Sequence, residues 1–369
     1  MNSKLFRSLV ALVFVLLAYG TYMAMEPGPG RVTESSSKVR PSSSPVTLEV
    51  VSTSEFTPGE TAIIDTPESG VQEKQAISAV PDATHVVVSK LDNQHDGSIQ
   101  AFPVADKVPF SKQLTSPAPT EASMGDAQRI FYYHVPAATA AYILFFINFV
   151  ASILFVIKRN ETADIWALVS AEVGLVFATV VLITGPIWGR FAWNTWWAWE
   201  PRLTTFLILW LLYVSYLVLR RSAEAASGAI LAAALAIFAF LDVPFSYVAN
   251  RFRGHHPPPI TLVDPGMKFV FMVNMLAFLL FAGLILWYRR EIEGVARAIA
   301  AAHIERAHRG VVACIALPAM FFFQERQNLN PTHFMLGAYI AAWVVYIVYL
   351  ALITAKVSRL KKEAAELGM

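Results

Sequence analysis

Cysteine is almost absent from this sequence, in which Cys314 is the single one among 369 residues. One thiol excludes an intrachain disulfide, a CxxC redox pair and any multi-cysteine zinc or iron–sulfur site. Familiar catalytic fingerprints are lacking too. Because there is no phosphate loop, GxSxG elbow, HExxH or Rossmann motif, nothing in the sequence indicates ATP use, hydrolysis or hydride transfer.

Charge is also scarce, since only 15% of the residues are charged, and 29 basic against 27 acidic residues leave a net charge of +2. So small an excess gives no reason to expect nucleic acid as a partner. What the sequence has instead is apolar surface. The hydrophobic share of 56% and the mean hydropathy of +0.49 are too high for an ordinary soluble domain.

Spanning a bilayer with a helix takes roughly 20 mostly apolar residues. Seven segments come near that length and predict an all-α polytopic membrane protein. They are residues 5–25, 135–157, 165–187, 203–219, 226–249, 269–288 and 334–355. A shorter apolar run at 310–323 is about 21 Å long as a helix, so it is either a strained span or a re-entrant piece.

Clusters of lysine and arginine mark the cytoplasmic ends of spans. They occur at residues 4–7, 158–159, 220–221, 289–290 and 356–362. With the N-terminus inside, the first six spans alternate correctly, and residues 26–134, 188–202 and 250–268 lie outside. The last basic cluster returns to the cytoplasm only if 310–323 also crosses the membrane.

The N-terminal part of the chain divides into two segments. Residues 1–25 have the basic start and apolar core of a cleaved signal peptide, but no small-x-small site closes the run, so we expect an uncleaved transmembrane helix. Residues 26–125 are rich in Pro, Ser, Thr and Gly. This composition predicts a mostly disordered external linker.

Five of the nine tryptophans lie within residues 188–199, in the stretch WGRFAWNTWWAWEPRLT. An interfacial aromatic belt would explain one or two rings at a span end. Five in one short connection favour an aromatic platform for a flat, conjugated ligand, of which haem is an example. The five are Trp188, Trp193, Trp196, Trp197 and Trp199.

Haem also needs axial nitrogen ligands and cationic partners for its propionates. His134 precedes the second span, and His255 and His256 lie between the fifth and sixth, on the same predicted side as the tryptophans. Arginines on that side, among them Arg190 and Arg202, call for an anion. Propionates fit, and lipid phosphates are the alternative.

These residues carry a resemblance to a known family. The stretches RIFYYHVPAA (129–138), SAEVGLVF (170–177), TGPIWGRFAWNTWWAWEPRLT (184–204) and LDVPFSYVANRFR (241–253) resemble haem exporter protein C of bacterial cytochrome c maturation, within the tryptophan-rich "WWD" superfamily. The resemblance covers about residues 124–290. The stretch 184–204 ends in Arg-Leu-Thr. At this point it differs from the cytochrome c synthase branch of the superfamily.

The resemblance implies a six-helix core at residues 126–290, with an external loop at 188–202, in the bacterial cytoplasmic membrane. Such a core binds haem b non-covalently between two axial histidines and passes it to a periplasmic haem chaperone of the CcmE type. ABC transporter subunits of the CcmA and CcmB types are the other implied partners. A haem-lyase-like transfer role would be the nearest to an enzymatic activity.

Residue by residue, His134 matches the first axial ligand, and the second falls at His256 or His255, with a slight preference for His256. Glu200 replaces the usual aspartate of the motif, which keeps the charge and adds a methylene. We therefore expect His134 and His256 to bind iron. The tryptophans, Glu200, Arg190 and Arg202 are expected to contact the haem.

After a cytoplasmic linker at 291–309, residues 310–369 resemble CcmD, the small single-span partner of this family, so the chain resembles a fusion of the two. Two other functions remain open at this point. One is a cytochrome c synthase that itself attaches haem to apocytochrome. The other is a membrane transporter subunit in which the tryptophans only anchor the loop.

Overall fold

The computed structural model describes residues 3–25, 32, 38–54, 56–66, 71–96, 99–103, 129–193, 195–222, 225–249, 265–306 and 331–367. Helices dominate these ranges. They are α1 (Ser3–Met25), α2 (Phe131–Lys158), α3 (Glu161–Trp193), α4 (Pro201–Ser222), α5 (Ala225–Phe240), α6 (Asp242–Val248), α7 (Pro265–Arg306) and α8 (Pro331–Leu367).

Seven stretches of these helices are long and apolar enough to cross a membrane. They coincide with the seven spans predicted from the sequence, and α5 and α6 together form one of them. The fold class of a polytopic helical membrane protein is therefore confirmed. The eighth crossing predicted at 310–323 lies outside the described residues. Of the linker predicted at 291–309, residues 291–306 belong to α7, and the last three residues lie outside the described ones.

Between α1 and α2 the chain forms two antiparallel sheets. Strand β1 (Lys38–Val39) pairs with β6 (His95–Asp96), and the other five strands form a sheet in the order β2-β5-β4-β3-β7. Those five strands are β2 (Val46–Glu49), β3 (Thr61–Thr66), β4 (Val71–Ala79), β5 (His85–Val88) and β7 (Gln100–Pro103). Alternate residues along β5 point inward, so Val86 and Val88 are buried.

The sheets have an apolar core of their own, which includes Leu48, Ile64, Ile77, Val86 and Val88. Twelve buried hydrophobic residues belong to it. The prediction that residues 26–125 form a mostly disordered linker is therefore wrong for the described part between 38 and 103. Whether this segment is external stays a prediction.

Buried polar residues interrupt the alternation of apolar and polar residues by which a strand is predicted from sequence. His95 is fully buried between Thr66 Oγ1 (2.6 Å from Nδ1) and Glu73 Oε1 (2.6 Å from Nε2). Burial would raise the pKa of Glu73, but hydrogen bonds from the Asp92 backbone and from the His95 and Gln75 side chains outweigh it and lower the pKa. Polar side chains thus occupy inward positions of β4 at which a strand pattern has apolar ones.

By its internal contacts the chain divides into two compact units. The first contains residues 1–139, 184–198 and 253–281. In this unit α1 packs closely on α7, since Asn274 donates its side-chain amide to the Gly20 carbonyl at 3.0 Å. A Cβ atom at Gly20 would lie 2.8 Å from Asn274 Oδ1, so this approach requires glycine.

The end of α1 is held by a cation. Arg129, just before α2, is 3% exposed and donates to the carbonyl of Ala24 at 2.8 Å. Carbonyls in the last turn of a helix lack intrahelical hydrogen-bond donors and carry partial negative charge. The guanidinium of Arg129 supplies both a donor and a positive charge. The predicted N-terminal helix is therefore an integrated part of this unit.

The second unit contains residues 140–183, 199–252 and 282–369. An ionic network joins α3, α4, α7 and α8 within it. Glu172 of α3 pairs with Arg289 of α7 through two hydrogen bonds of 3.0 and 2.8 Å. Its four acidic members are Glu161, Asp164, Glu172 and Glu293, and its four basic members are Arg220, Arg289, Arg297 and Lys356.

The C-terminal helix α8 is attached to this network at two positions. Tyr349 donates its hydroxyl to Glu172 Oε1 at 3.3 Å, and Lys356 Nζ lies 3.1 Å from Glu293 Oε2. Between α8 and α3, the ring of Tyr346 lies 5.1 Å from that of Phe177. Polar and aromatic contacts of this kind fix the rotation of α8 about its own axis and its position along that axis relative to neighbouring helices.

Candidate functional site

His134 lies in the first turns of α2, where the second span begins. Its Nδ1 atom is 2.8 Å from Oγ1 of Thr184 in α3, and the ring is partly exposed. Thr184 itself is fully buried. One edge of the imidazole is therefore held by the protein while the side chain keeps access to the surroundings.

The sequence TGPIWGR (184–190) explains how α3 approaches this histidine. A Cβ atom built at Gly185 would lie 3.4 Å from His134 Cε1, an ordinary van der Waals distance, so α3 passes close beside the imidazole ring at this residue. Pro186 has no backbone N–H to give to the helix. Trp188 follows Thr184 by four residues, which puts it on the same face one turn further along.

The tryptophan-rich segment is more helical than the sequence predicts. α3 continues to Trp193 and α4 begins at Pro201, so the predicted loop at 188–202 is too long. The connection lies between these two residues. Helices in membranes tolerate the Gly and Pro of this stretch because neighbouring groups satisfy the freed backbone atoms.

Aromatic rings of the connection are left open to the surroundings. Trp199 is 78% exposed and Trp196 is 41% exposed, whereas Trp197 is half-buried and its carbonyl accepts a hydrogen bond from Thr195 at 3.3 Å. Exposed indole rings are costly in water and suit an apolar contact. The side chain of Trp193 lies outside the described ones.

Glu200 and Pro201 form the start of α4. The Glu200 carbonyl accepts the Thr204 N–H at 3.0 Å, and Pro201 occupies the first helical position, where a missing N–H costs nothing. The Glu200 side chain is buried. A carboxylate here also interacts favourably with the positive end of the helix dipole.

The two arginines predicted to contact haem differ in their helical surroundings. Arg190 lies in the last turn of α3, where a cation is stabilised by the helix dipole. Arg202 lies in the first turn of α4, where the same dipole disfavours a cation. The positive end of α4 adds to the attraction of Arg202 for an anion, whereas the negative end of α3 opposes the attraction of Arg190.

The second predicted axial position is not among the described residues, because both His255 and His256 lie in the range 250–264. Within the described ranges, no three His, Cys, Asp or Glu side chains converge on a metal-sized site. The structure thus places His134, Trp188, Trp196, Trp197, Trp199, Glu200, Arg190 and Arg202. It brings His134 and Thr184 together and leaves the His255/His256 prediction untested.

Thr184 is a residue that sequence reasoning missed. Its signal was its place at the start of TGPIWGR, four residues before Trp188. Tyr142 was missed as well, and its hydroxyl lies 2.8 Å from Ser246 Oγ, which joins α2 to the LDVPFSYV segment in the second unit. The contacts of Thr184 with His134 and of Tyr142 with Ser246 join residues far apart in the sequence. No local sequence pattern predicts such contacts.

Comparison with known proteins places these residues in a family. The family model described as "Heme exporter protein C" matches residues 109–305. This range includes His134, the tryptophan-rich segment and α2 to α7. The sheets at 38–103 and helix α8 lie outside it.

Individual relatives carry the same description. Heme exporter protein C of Paracoccus denitrificans is 33% identical over 176 residues, which are 46% of this chain and 72% of the relative. The Rhodobacter capsulatus protein is 42% identical over 106 residues, 29% of this chain and 44% of the relative. The Escherichia coli K12 protein is 30% identical over 173 residues, 44% of this chain and 69% of the relative.

The alignment with the Rhodobacter protein thus spans less than half of that relative, whereas the Paracoccus and Escherichia alignments span more than two thirds of theirs. The family model itself covers more than half of this chain. The chain therefore belongs to the heme exporter protein C family.

Proposed function

We propose that this protein binds haem at the external face of the bacterial cytoplasmic membrane and delivers it to a periplasmic haem chaperone during c-type cytochrome biogenesis. The observation that carries the proposal is the pairing of His134 with Thr184, one helical turn from Trp188. A histidine held in this way at the start of a span, beside an aromatic segment, has the features of an axial haem ligand. The name of the family points to the same cargo.

The described residues fit haem in chemistry. Haem is a flat apolar ring with an iron that takes axial nitrogen ligands and two anionic propionates. The partly exposed imidazole of His134 supplies one nitrogen, and the exposed rings of Trp196 and Trp199 supply apolar surface. In this proposal the tryptophans contact the ring face and exclude water from it.

The propionates would be met by arginine. Arg202 is the stronger candidate because it lies in the first turn of α4, where the positive end of the helix dipole also attracts an anion. Arg190 is the second, and lipid phosphates compete for both. Glu200 is buried at the start of the same helix, so its proposed contribution is to hold the connection in shape for the ligand.

The second axial ligand is proposed to be His256, with His255 as its alternative. Either residue belongs to a different part of the chain from His134, so the two ligands can approach the iron from opposite sides. No CxxCH motif occurs in the sequence. The haem is therefore proposed to be b-type and non-covalently bound, so that it can be released again.

Delivery requires partners, because the chain contains no nucleotide-binding motif to drive it. We propose a CcmE-like chaperone as the acceptor and CcmA- and CcmB-like transporter subunits as the source of energy. We further propose that α8 serves as a built-in counterpart of the small partner CcmD. Its contacts with Glu172 and Glu293 support a stable association with the helical core.

The visible absorption spectrum of the purified protein tests the proposal. We expect a Soret band, release of the pigment by acid-acetone, and a six-coordinate spectrum of the reduced haem. His134→Ala should remove one axial bond and shift this spectrum toward five-coordinate. The double variant of His255 and His256 should have the same effect.

His85→Ala is the matched control, since His85 lies in the sheet segment and pairs with Asp82 at 2.8 Å. It should leave the spectrum unchanged. An unaltered six-coordinate spectrum in both ligand variants would overturn the bis-histidine assignment. A protein without any Soret band would favour a transporter for another substrate, and haem that stays attached to the polypeptide would favour a synthase.

A further inference from the structure

We propose that Thr184 is a positioning residue for His134: it accepts the Nδ1–H of the imidazole and thereby presents Nε2 to the haem iron. The inference rests on the proposed function, since it concerns the ligand through which haem would be held. It assigns a role to a residue of α3 that acts through His134.

The contact has an ordinary hydrogen-bond length and is partly buried. His134 Nδ1 and Thr184 Oγ1 are 2.8 Å apart, and Thr184 is fully buried. A hydrogen bond in an apolar environment is stronger than the same bond in water, and an unsatisfied partner there is costly. Breaking the hydrogen bond between His134 and Thr184 would leave a buried hydroxyl oxygen without this partner, so we expect the bond to persist when a ligand binds.

The direction of the bond follows from the helix. A threonine hydroxyl within a helix commonly donates its hydrogen to a carbonyl three or four residues earlier. The oxygen of such a threonine is left as an acceptor, and on this ground we assign the imidazole as the donor. A neutral imidazole that carries its hydrogen on Nδ1 has its lone pair on Nε2, the atom available for a metal.

A second neighbour limits how the ring can turn. A Cβ atom at residue 185 would lie 3.4 Å from His134 Cε1, the carbon between the two ring nitrogens. The Cε1 edge of the imidazole therefore lies beside α3, and the hydrogen bond to Thr184 holds the ring in that orientation. In this proposal the hydrogen bond to Thr184 sets the tautomer of the ring, and the nearby backbone of α3 at Gly185 limits its rotation.

Orientation of this kind has a measurable effect on a bound metal. A hydrogen bond from the distal ring nitrogen of a ligating histidine raises its basicity, and losing such an outer partner typically lowers metal affinity about 10- to 100-fold. A more basic imidazole favours the oxidised iron. Removing the acceptor should therefore weaken haem binding and raise the reduction potential.

The first test replaces Thr184 in the full-length protein. Thr184→Val keeps the shape of the side chain and removes the acceptor, so haem affinity should fall about 10- to 100-fold and the reduction potential should rise. Thr184→Ser, which keeps a hydroxyl, should restore both. Thr354→Val is the matched control, because that hydroxyl bonds the Leu350 carbonyl of its own helix at 2.8 Å and is exposed.

A second measurement separates the hydrogen bond from any effect on folding. His134→Gly opens a space that free imidazole can fill, and the probe 1-methylimidazole has no N–H to donate when its other nitrogen binds iron. Imidazole should restore the six-coordinate spectrum at lower concentration than 1-methylimidazole does. Adding Thr184→Val to His134→Gly should abolish this difference.

The outcomes also separate this inference from the proposed function. If wild-type protein binds haem and His134→Ala becomes five-coordinate, but Thr184→Val keeps wild-type affinity and potential, the positioning role is refuted and the ligand assignment stands. Equal rescue by the two imidazoles in His134→Gly would refute it as well. If His134→Ala has no effect, the ligand assignment itself fails.

Discussion

A single carboxylate, Glu172, shows what the membrane demands of a charged residue. An ionised group in a transmembrane helix is costly unless a partner of opposite charge lies beside it. Arg289 provides that partner with a two-pronged contact at 3.0 and 2.8 Å, and Tyr349 adds a hydrogen bond at 3.3 Å. The residue therefore acts as a junction of α3, α7 and α8.

We expect Glu172→Gln to destabilise the protein, because it leaves the buried guanidinium of Arg289 with less negative charge around it. Removing one partner of a buried pair typically costs roughly 3–5 kcal/mol. The loss here should be smaller, about 1–3 kcal/mol, since Arg289 keeps Glu293 at 3.0 Å. Thermal unfolding in detergent measures the effect.

Glu291→Gln is the control for this prediction. Glu291 pairs with Arg290 at 2.6 Å, but both side chains are more than one third exposed, and exposed pairs contribute about 0–1 kcal/mol. Equal melting temperatures of the two variants would contradict a junction role for Glu172.

The sequence identifies Glu172 as a carboxylate within a span but not its partner. Arg289 lies 117 residues further along the chain, and Thr184 is similarly remote from His134, at a separation of 50 residues. Residue types and spacing therefore predicted which side chains could carry chemistry. Pairs set by tertiary packing could be found only in the fold.

At the scale of elements, the contact between α2 and α3 depends on one glycine. A Cβ at Gly174 would lie 2.7 Å from Phe145 Cε1 and 3.2 Å from the Leu144 Cβ. Phe145 cannot easily move, because it is fully buried and stacked on Tyr213 with ring centres 3.7 Å apart. Close helix packing at a small residue is a common source of stability in membranes.

Gly174→Ala should therefore lower stability by roughly 1–3 kcal/mol, the usual cost of overpacking a core. The matched variant is Gly283→Ala in α7, where an added Cβ would meet nothing within 4 Å. That substitution should be neutral or slightly stabilising, because alanine favours the helix over glycine. Equal unfolding temperatures of the two variants would show that α2 and α3 do not pack as described.

Hydropathy predicted the seven spans because the bilayer fixes the length of an apolar helix. Two other elements were not predictable by the same reasoning. One is the extension of α3 through Gly185, Pro186 and Gly189 to Trp193. Glycine and proline disfavour a helix in water, so such a sequence favours an end of the helix within this stretch. The strands between α1 and α2 place Glu73 and Gln75 in buried positions. These polar residues interrupt the two-residue alternation of apolar side chains by which a strand is predicted.

At the scale of the whole molecule, the distribution of basic residues predicts the orientation of the chain. A reporter inserted at Asn194, in the tryptophan-rich connection, should be active outside. One fused after Arg290 should be active in the cytoplasm. Reporter enzymes that work on only one side of the membrane measure this directly, and the reverse pattern would put the proposed haem site on the wrong face.

The hydrogen bond between Arg129 and the carbonyl of Ala24 has a consequence for how the segment between them can vary in length. It joins two residues that are 105 positions apart, and the whole sheet-forming segment lies between them. Because the two ends are held together at this bond, the entropic cost of closing the loop between them rises only slowly with its length. Ala24 and Arg129 therefore mark two positions between which residues can be added or removed with little effect on the packing of α1.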